Sequence, residues 1–531
     1  MTLVELIAAA LTVVLGAWPL AAYAIDAAGG GVMPAVSLIA ALGIGALVAW
    51  RLPKAGSSSW ADVAAWIGIV VFVTAMILRM SWPALLPPGR GPDLTHHLLL
   101  VDYIEQQGHL VHDRALDGAM GEMAHYTPAS HLLAVMAGKL AGTDGLRAFF
   151  PLVALCSALT AGFVFLIARR LAMTLPFALA AAILLFLPAP YFTGAFTHDA
   201  FLAQAVATLF AVAAWWALTA WGSQPSDAAA WTMAVLLSAI FLSWPVYLGP
   251  ALVVFAAMLM SIDLPLPAKQ RQLGIVIVPV LALFLLHSWD RWGWMLIVRV
   301  SGAVMHPSGE TIGWALPVLA TIGAVAAFSD TRARLTVILL FVIALQALTL
   351  FVLAEAQGAD TPYMALKMVY LAVYPMAVLG GLALFRLVGR SRLADNLGWV
   401  VAALLILAVR PAFTAPRPVP VVDLDLYEAG KSLRAQGITT CVDYLVNDAE
   451  TAYWLHLAVL GNPRASERMR EIDRYDPNAA MAPWITAEGR TFAIADLRLL
   501  PDEIRSRVTL TAQFGHAGVI TGRGATMKGC D

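Results

Sequence analysis

Residues Gly91–His131 read GPDLTHHLLLVDYIEQQGHLVHDRALDGAMGEMAHYTPASH, the longest polar interruption in an otherwise apolar chain. Six of the eleven histidines fall here, with a group of carboxylates, between two strongly apolar segments. Long connections tend to carry function rather than merely join elements. The expectation is a membrane scaffold holding this loop against something embedded in lipid.

Working outward, the 531 residues are 60% hydrophobic and 13% charged, with a mean hydropathy of +0.78. A soluble domain carries about 25% charged residues, so the composition is that of a polytopic membrane protein. A formal net charge of −1 argues against a nucleic-acid partner. The three cysteines form no CxxC or zinc-finger spacing.

A spanning helix needs roughly 20 mostly apolar residues. Such runs, some shorter, lie near 3–24, 33–50, 61–80, 147–168, 174–190, 200–221, 229–243, 248–262, 272–289, 311–328, 335–354, 363–386 and 396–412, about thirteen in all. The pair flanking Ser243-Trp244-Pro245-Val246-Tyr247 also reads as one broken helix. Ala22-Tyr23-Ala24 resembles a signal-peptidase site, but Glu5 and the lack of Lys or Arg before the apolar run favour an uncleaved first helix.

Orientation follows from loop charge. Arg51 and Lys54, Arg169 and Arg170, Lys269 and Arg271, Arg332 and Arg334, and Arg386, Arg390 and Arg392 fall on one side. The opposite short loops 25–32, 191–199, 244–247 and 355–362 contain neither Lys nor Arg. The basic side is expected to be cytoplasmic, with the N-terminus inside the plasma (inner) membrane. The loop at 81–146, the loop around His198, the loop at 290–310 and the C-terminal tail then face outward. Residues 1–412 form the transmembrane domain on this reading, and 413–531 a soluble extracytoplasmic α/β domain. Strands are expected at Thr439–Val446, Thr491–Ala495 and Val508–Phe514, and helices near Asp425–Gln436, Ala449–Leu460 and Ser466–Asp473. Outside the cell Cys441 and Cys530 are either bridged or two unpaired thiols.

Asp93 opens a helical run, Leu94 to Gln107, and reads either as an N-cap or as a general base at the lip of a membrane cavity. The two roles are compatible. His96 and His97 lie one turn further on and so can share its site. The six histidines can supply a zinc site, or stand as solvated interfacial side chains. His125 to His131 reads as a helix start, with Thr127 as cap and Pro128 at the first helical position. Tyr126 and His131 there line a polar groove or serve structure alone. In the next outward loop Asp199, after His198, is a second N-cap or a second carboxylate. Lys367 sits just inside the outer end of a span, flanked by Tyr363 and Tyr370 on one helical face. An ionisable group there marks function by default. It would hold a phosphate at the membrane boundary, or snorkel to the interface. Arg291, Arg299 and His306 are further outward candidates for the same anion.

These residues together resemble the GT-C superfamily of polyprenyl-phosphate-dependent glycosyltransferases, over about 1–412. The catalytic acid of that superfamily, just after a transmembrane helix in the first large outward loop, corresponds to Asp93 in Pro92-Asp93-Leu94-Thr95-His96-His97. Its Tyr-Pro-Pro-type segment with a following histidine is similar to Tyr126-Thr127-Pro128-Ala129-Ser130-His131, Thr standing for the first Pro. His198-Asp199 takes the place of a second acidic position, and Tyr363…Lys367…Tyr370 is similar to the late-helix pattern that contacts lipid-linked phosphate. Two helices precede the usual first one, no Asp-x-Asp motif follows, and Trp215-Trp216 leads into Ala217 rather than Asp. Subfamily, sugar and metal dependence stay open on those departures.

The resemblance implies an inverting hexosyl- or pentosyltransferase that moves a sugar from a polyprenyl phosphate to an extracytoplasmic glycan or lipid, with Asp93 as base. It implies no required cofactor, with a divalent metal admissible, and the membrane as a partner. The rival readings are a polar-lipid transporter or flippase and a zinc-dependent membrane hydrolase built on the histidines.

Overall fold

The computed structural model describes residues 1–53, 56, 59–89, 91–191, 194, 201–289, 291, 302, 304–389, 392–464, 467–486 and 491–522, without the side chains of 92, 331, 392–394 and 467. By contacts these fall into two compact units. The first takes in Met1–Met80, Thr127–Leu133 and Pro151–Arg417; the second takes in Ser81–Tyr126, Ala134–Phe150 and residues from Pro418 onward.

The first unit is helical. Among the described residues nine helices are long and apolar enough to cross a membrane, from Leu3–Ala27 to Asp395–Thr414. Four of the expected spans are shorter helices instead: Leu175–Leu184, Asp227–Ser243, Pro245–Ser261 and Ala315–Ala327. Proline explains two of the breaks. Pro188 and Pro190 follow the helix at Leu175–Leu184, and Trp244, extended at φ −159° and ψ 96°, ends the helix just before Pro245. A single 3₁₀ turn, Pro245–Tyr247, restarts it.

Helix ends in this unit are tied by charge. Arg169 meets Asp62 at 2.9 Å, Arg170 meets Glu5 at 2.5 Å, Arg386 meets Asp330 at 3.5 Å, and Arg271 pairs with Asp227. The acids stand at helix starts, and Arg169, Arg170 and Arg386 at helix ends, where the helix dipole favours each. Glu5, the acid that spoils a signal-peptide reading, also completes a capping box with Thr2. Burial sorts the helices. In the most apolar windows of Gly145–Arg170 and Leu202–Ser223, 89% and 94% of residues are buried, against 17% for Arg332–Ala356. The outer helices turn large apolar groups such as Phe72, Val278, Phe341 and Leu407 outward, as a lipid-facing surface requires.

The second unit brings together the polar segment Ser81–Tyr126, Ala134–Phe150 and the C-terminal residues. Helix Pro92–Gln107 is closed by Gly108, whose φ of +70° is left-handed. Its Asp102 takes a bidentate contact from Arg434 at 2.5 and 2.9 Å, and Arg434 also donates to the Val459 carbonyl. Asp144 accepts from the Tyr427 hydroxyl, and Arg147 pairs with Glu428. The sheet contains β1 (Val442–Leu445), β2 (Phe492–Asp496), β3 (Val508–Phe514) and β4 (Ala517–Gly522), in the order β1-β2-β4-β3. β1 and β2 are parallel; β4 is antiparallel to both β2 and β3. Leu445, Trp484, Ala493, Ile504 and Ile520 form its core. The three expected strands and three expected helices are present; β4 and the helices Pro477–Ile485 and Asp502–Arg507 are additional. Cys441 is disulfide-bonded, while Cys530 lies outside the described residues.

Candidate functional site

Gly91, with φ +109°, is the N-cap of helix Pro92–Gln107, and Pro92 stands at its start. Asp93 therefore lies inside the first turn, half-buried, and the N-cap role expected for it belongs to Gly91. The Gly91 N–H donates to the Glu450 carboxylate, which fixes the approach of the chain two residues before Asp93. One turn on, His96 and His97 are both buried. His96 Nδ1 meets Glu122 Oε1 at 2.9 Å, and Arg464 Nη1 meets Glu122 Oε2 at 2.6 Å. His97 packs edge-on against Tyr126, with ring centroids 4.9 Å apart.

The electrostatics knit these residues together. Burial pushes the Tyr126 phenol up, and the negative charges of Asp93 and Glu122 push it further. Burial also pushes the Glu122 carboxyl up. The His96 hydrogen bond and charge, with help from Arg464, overcome that push and hold it at about 2. The group thus offers an acid at a helix start, a phenol kept protonated, and two histidines behind them.

The remaining loop histidines disperse. His125 Nε2 meets Asp117 at 3.2 Å, and His109 stacks on His112 with centroids 6.0 Å apart. Among the described residues no three His, Cys, Asp or Glu side chains converge as a metal site. The helix expected to open at Pro128 begins at Ala129, and the Thr127 hydroxyl, rather than capping it, donates to the Ser243 carbonyl at 3.1 Å. His131 is fully buried, with Ser130 Oγ 3.4 Å from its Nδ1.

In the first unit, Lys367 stands among rings. Its Nζ lies 3.8 Å from the centroid of Phe201, 4.1 Å from that of Tyr363 and 5.8 Å from that of Trp244. The side chain is 6% exposed, which sets aside a snorkelling lysine. Its carbonyl accepts from Gln204 Nε2 at 3.2 Å and from the Tyr247 hydroxyl at 3.1 Å. Tyr370 stacks flat on Tyr191 at 4.1 Å. A Cβ on Gly302 would come within 2.7 Å of the Tyr363 ring, so a larger residue there would force a shift. His306 is exposed and Arg291 donates to the His287 carbonyl at 3.0 Å. His198, Asp199 and Arg299 lie outside the described residues.

No family model and no curated protein matches the chain in sequence. Among solved structures, the arabinofuranosyltransferase AftD from Mycobacteria superposes with a TM-score of 0.50 at 16% identity, over 89% of this chain and 42% of that one. The chain thus spans less than half the length of that protein. The archaeal oligosaccharyltransferase AglB from Archaeoglobus fulgidus, in complex with an inhibitory peptide and a dolichol-phosphate, aligns with a TM-score of 0.47 at 12% identity, over 83% of this chain and 70% of that one. The fold is GT-C-like. Helix Pro92–Gln107 carries Asp93 and the late helix Tyr363–Val388 carries Lys367.

Sequence reasoning missed the partners of His96 and Lys367. Glu122 was visible in the opening stretch as one acid among several, and nothing local marks its pairing with Arg464. Phe201, Gln204 and Trp244 come to Lys367 from distant helices. The one available signal was the Trp244-Pro245 break.

Proposed function

We propose that the protein is an integral membrane glycosyltransferase that moves a sugar from a polyprenyl-phosphate donor to a glycan or lipid acceptor outside the plasma membrane. The observation that carries this reading is Asp93, half-buried in the first turn of helix Pro92–Gln107 and electrostatically coupled to Tyr126. The GT-C-like fold supports it. The acceptor oxygen attacks the anomeric carbon as the bond from that carbon to the phosphate oxygen breaks. The acceptor proton passes to the Asp93 carboxylate, and the phosphate leaves with the bonding electron pair. A single displacement of this kind inverts the anomeric centre.

Lys367, whose Nζ lies over the Phe201 and Tyr363 rings, is the cation we assign to the departing phosphate. Tyr363 and Tyr370 shape its surroundings, and His97 and Tyr126 those of the base. His96, fixed by Glu122, positions rather than reacts. The reaction balances without a redox or group-carrying cofactor.

The decisive experiment uses full-length protein in vesicles with a labelled sugar on polyprenyl phosphate. Asp93→Asn should lower transfer by about 10²–10⁴-fold while the melting temperature stays put. Transfer retained in that variant would move the base elsewhere. Substrate counterflow without covalent product would replace the enzyme by a transporter.

A further inference from the structure

The first unit contains a second polar cavity that the proposed transfer chemistry does not use. Its volume is about 750 Å³, and it opens at the arginine-rich end of the helices. Glu5, Asp62, Arg169, Arg170, Ser223 and Arg332 line its polar part, while Met258 and Leu335 contribute an apolar wall. Volumes of roughly 300–1,000 Å³ are those of ligand sites.

The charges inside do not cancel. Asp62 is taken by Arg169 at 2.9 Å, and Glu5 by Arg170 Nε at 2.5 Å. Glu5 also accepts from Trp216 Nε1 at 3.3 Å, and the Arg170 guanidinium lies over the Trp216 ring at 5.5 Å. Arg170 is thus locked by one carboxylate and one aromatic face. Among the described residues its two Nη groups meet no acceptor. Arg332, at the start of helix Thr331–Ala356, is the third guanidinium. Its side chain has no acceptor among the described residues, only its backbone N–H being engaged, by Asp330. Three guanidinium groups face two carboxylates, and the surplus donors are planar forks of the geometry that matches phosphate oxygens.

We propose that this cavity binds a phosphate-ester anion carried on an apolar tail, the head group of an acidic phospholipid, with Arg170 and Arg332 gripping the phosphate and the chain leaving along Met258 and Leu335. The apolar wall argues for a lipid over a free ion, and basic pockets between membrane helices hold such head groups. The site is independent of Asp93 and Lys367.

The test uses delipidated full-length protein equilibrated with mixed micelles of phosphatidylglycerol or of phosphatidylcholine, retained lipid being read by native mass spectrometry. Phosphatidylglycerol should be retained preferentially, and Arg332→Gln should lower its retention by about tenfold, the scale of one lost charge-assisted contact. Arg332 is exposed and touches no other described side chain through a hydrogen bond or ion pair, so the variant should melt with the wild type. Arg332→Lys, which keeps the charge but loses the fork, should fall between the two and supplies a second folded comparison. Inorganic phosphate that displaces the lipid from wild type and binds Arg332→Gln weakly would keep the anion site and name a soluble phosphate as its source. Equal retention by wild type and Arg332→Gln, or equal retention of the two lipids, would overturn the assignment.

Discussion

The carboxylate of Asp93 stands near groups that carry charge or give up protons, whereas the ammonium of Lys367 stands among aromatic faces. Around the first, His96, Glu122 and Arg464 form a chain of contacts at 2.9 and 2.6 Å. Opposite charges there satisfy one another and fix the neighbours of the acid. Around the second, Phe201 and Tyr363 present their rings at 3.8 and 4.1 Å. A ring quadrupole attracts a cation without neutralising it. The difference teaches how each region holds its charged group: the first through opposite charges, the second through aromatic faces.

The sharpest way to break this contrast is to remove a charge partner from the paired region. Asp102 is 3% exposed and depends on Arg434. Burial raises its carboxyl to about 6 from 3.8, against the lowering pull of Arg434. The folded state therefore binds more protons than the unfolded one between those values, and stability falls as pH rises through that window. Arg434→Met leaves a buried acid without its cation and should cost about 3 kcal/mol or more at pH 8. With the arginine gone the folded pKa climbs further, so the destabilised window extends upward. The gap in melting temperature from wild type should be wider at pH 8 than at pH 5. Equal gaps would show that Arg434 acts through packing alone.

The ringed region gives the next effect. Lys367→Met keeps an unbranched side chain among the same rings and removes the charge. The KM for a polyprenyl-phosphate sugar should rise by about tenfold or more, as expected for losing a hydrogen bond to a charged group, with a smaller change in kcat. An unchanged KM would show that the rings hold Lys367 for structure and not for a phosphate.

How far the sequence reveals these two regions follows from the same contrast. A lysine inside an apolar run, with Tyr363 and Tyr370 at helical spacing, is legible because a buried charge stands out against its surroundings. An acid after Gly91-Pro92 is legible because the segment is polar. The histidine cluster misleads: residues near in sequence are turned apart by the short helices between Arg114 and Ala124, so His96 reaches Glu122 while His125 reaches Asp117. Strand β4 escapes notice because Gly518 and Gly522 dilute its apolar alternation. The short helices pass for full spans because hydropathy counts apolar residues, while Pro188, Pro190 and Pro245 decide where hydrogen bonding stops.

The smallest effect tests whether the chain through Glu122 contributes geometry rather than stability. Its carboxyl, pushed up by burial, is nonetheless held at about 2 by His96 and Arg464. A depressed folded pKa contributes stability above the ordinary value of 4.5, lost as pH falls toward 2. The Glu122 side chain is 44% exposed, so solvent screening keeps that contribution under about 1 kcal/mol. Glu122→Gln should therefore melt slightly below wild type at pH 7, and the difference should narrow below pH 4.5 and close only near pH 2, where the wild-type carboxylate is itself protonated. Transfer should suffer more than stability, because a neutral amide no longer orients His96 beside the turn that carries Asp93. If the variant keeps full activity while losing the pH-dependent difference, the contact serves only to hold the loop, and the polar region around Asp93 works without it.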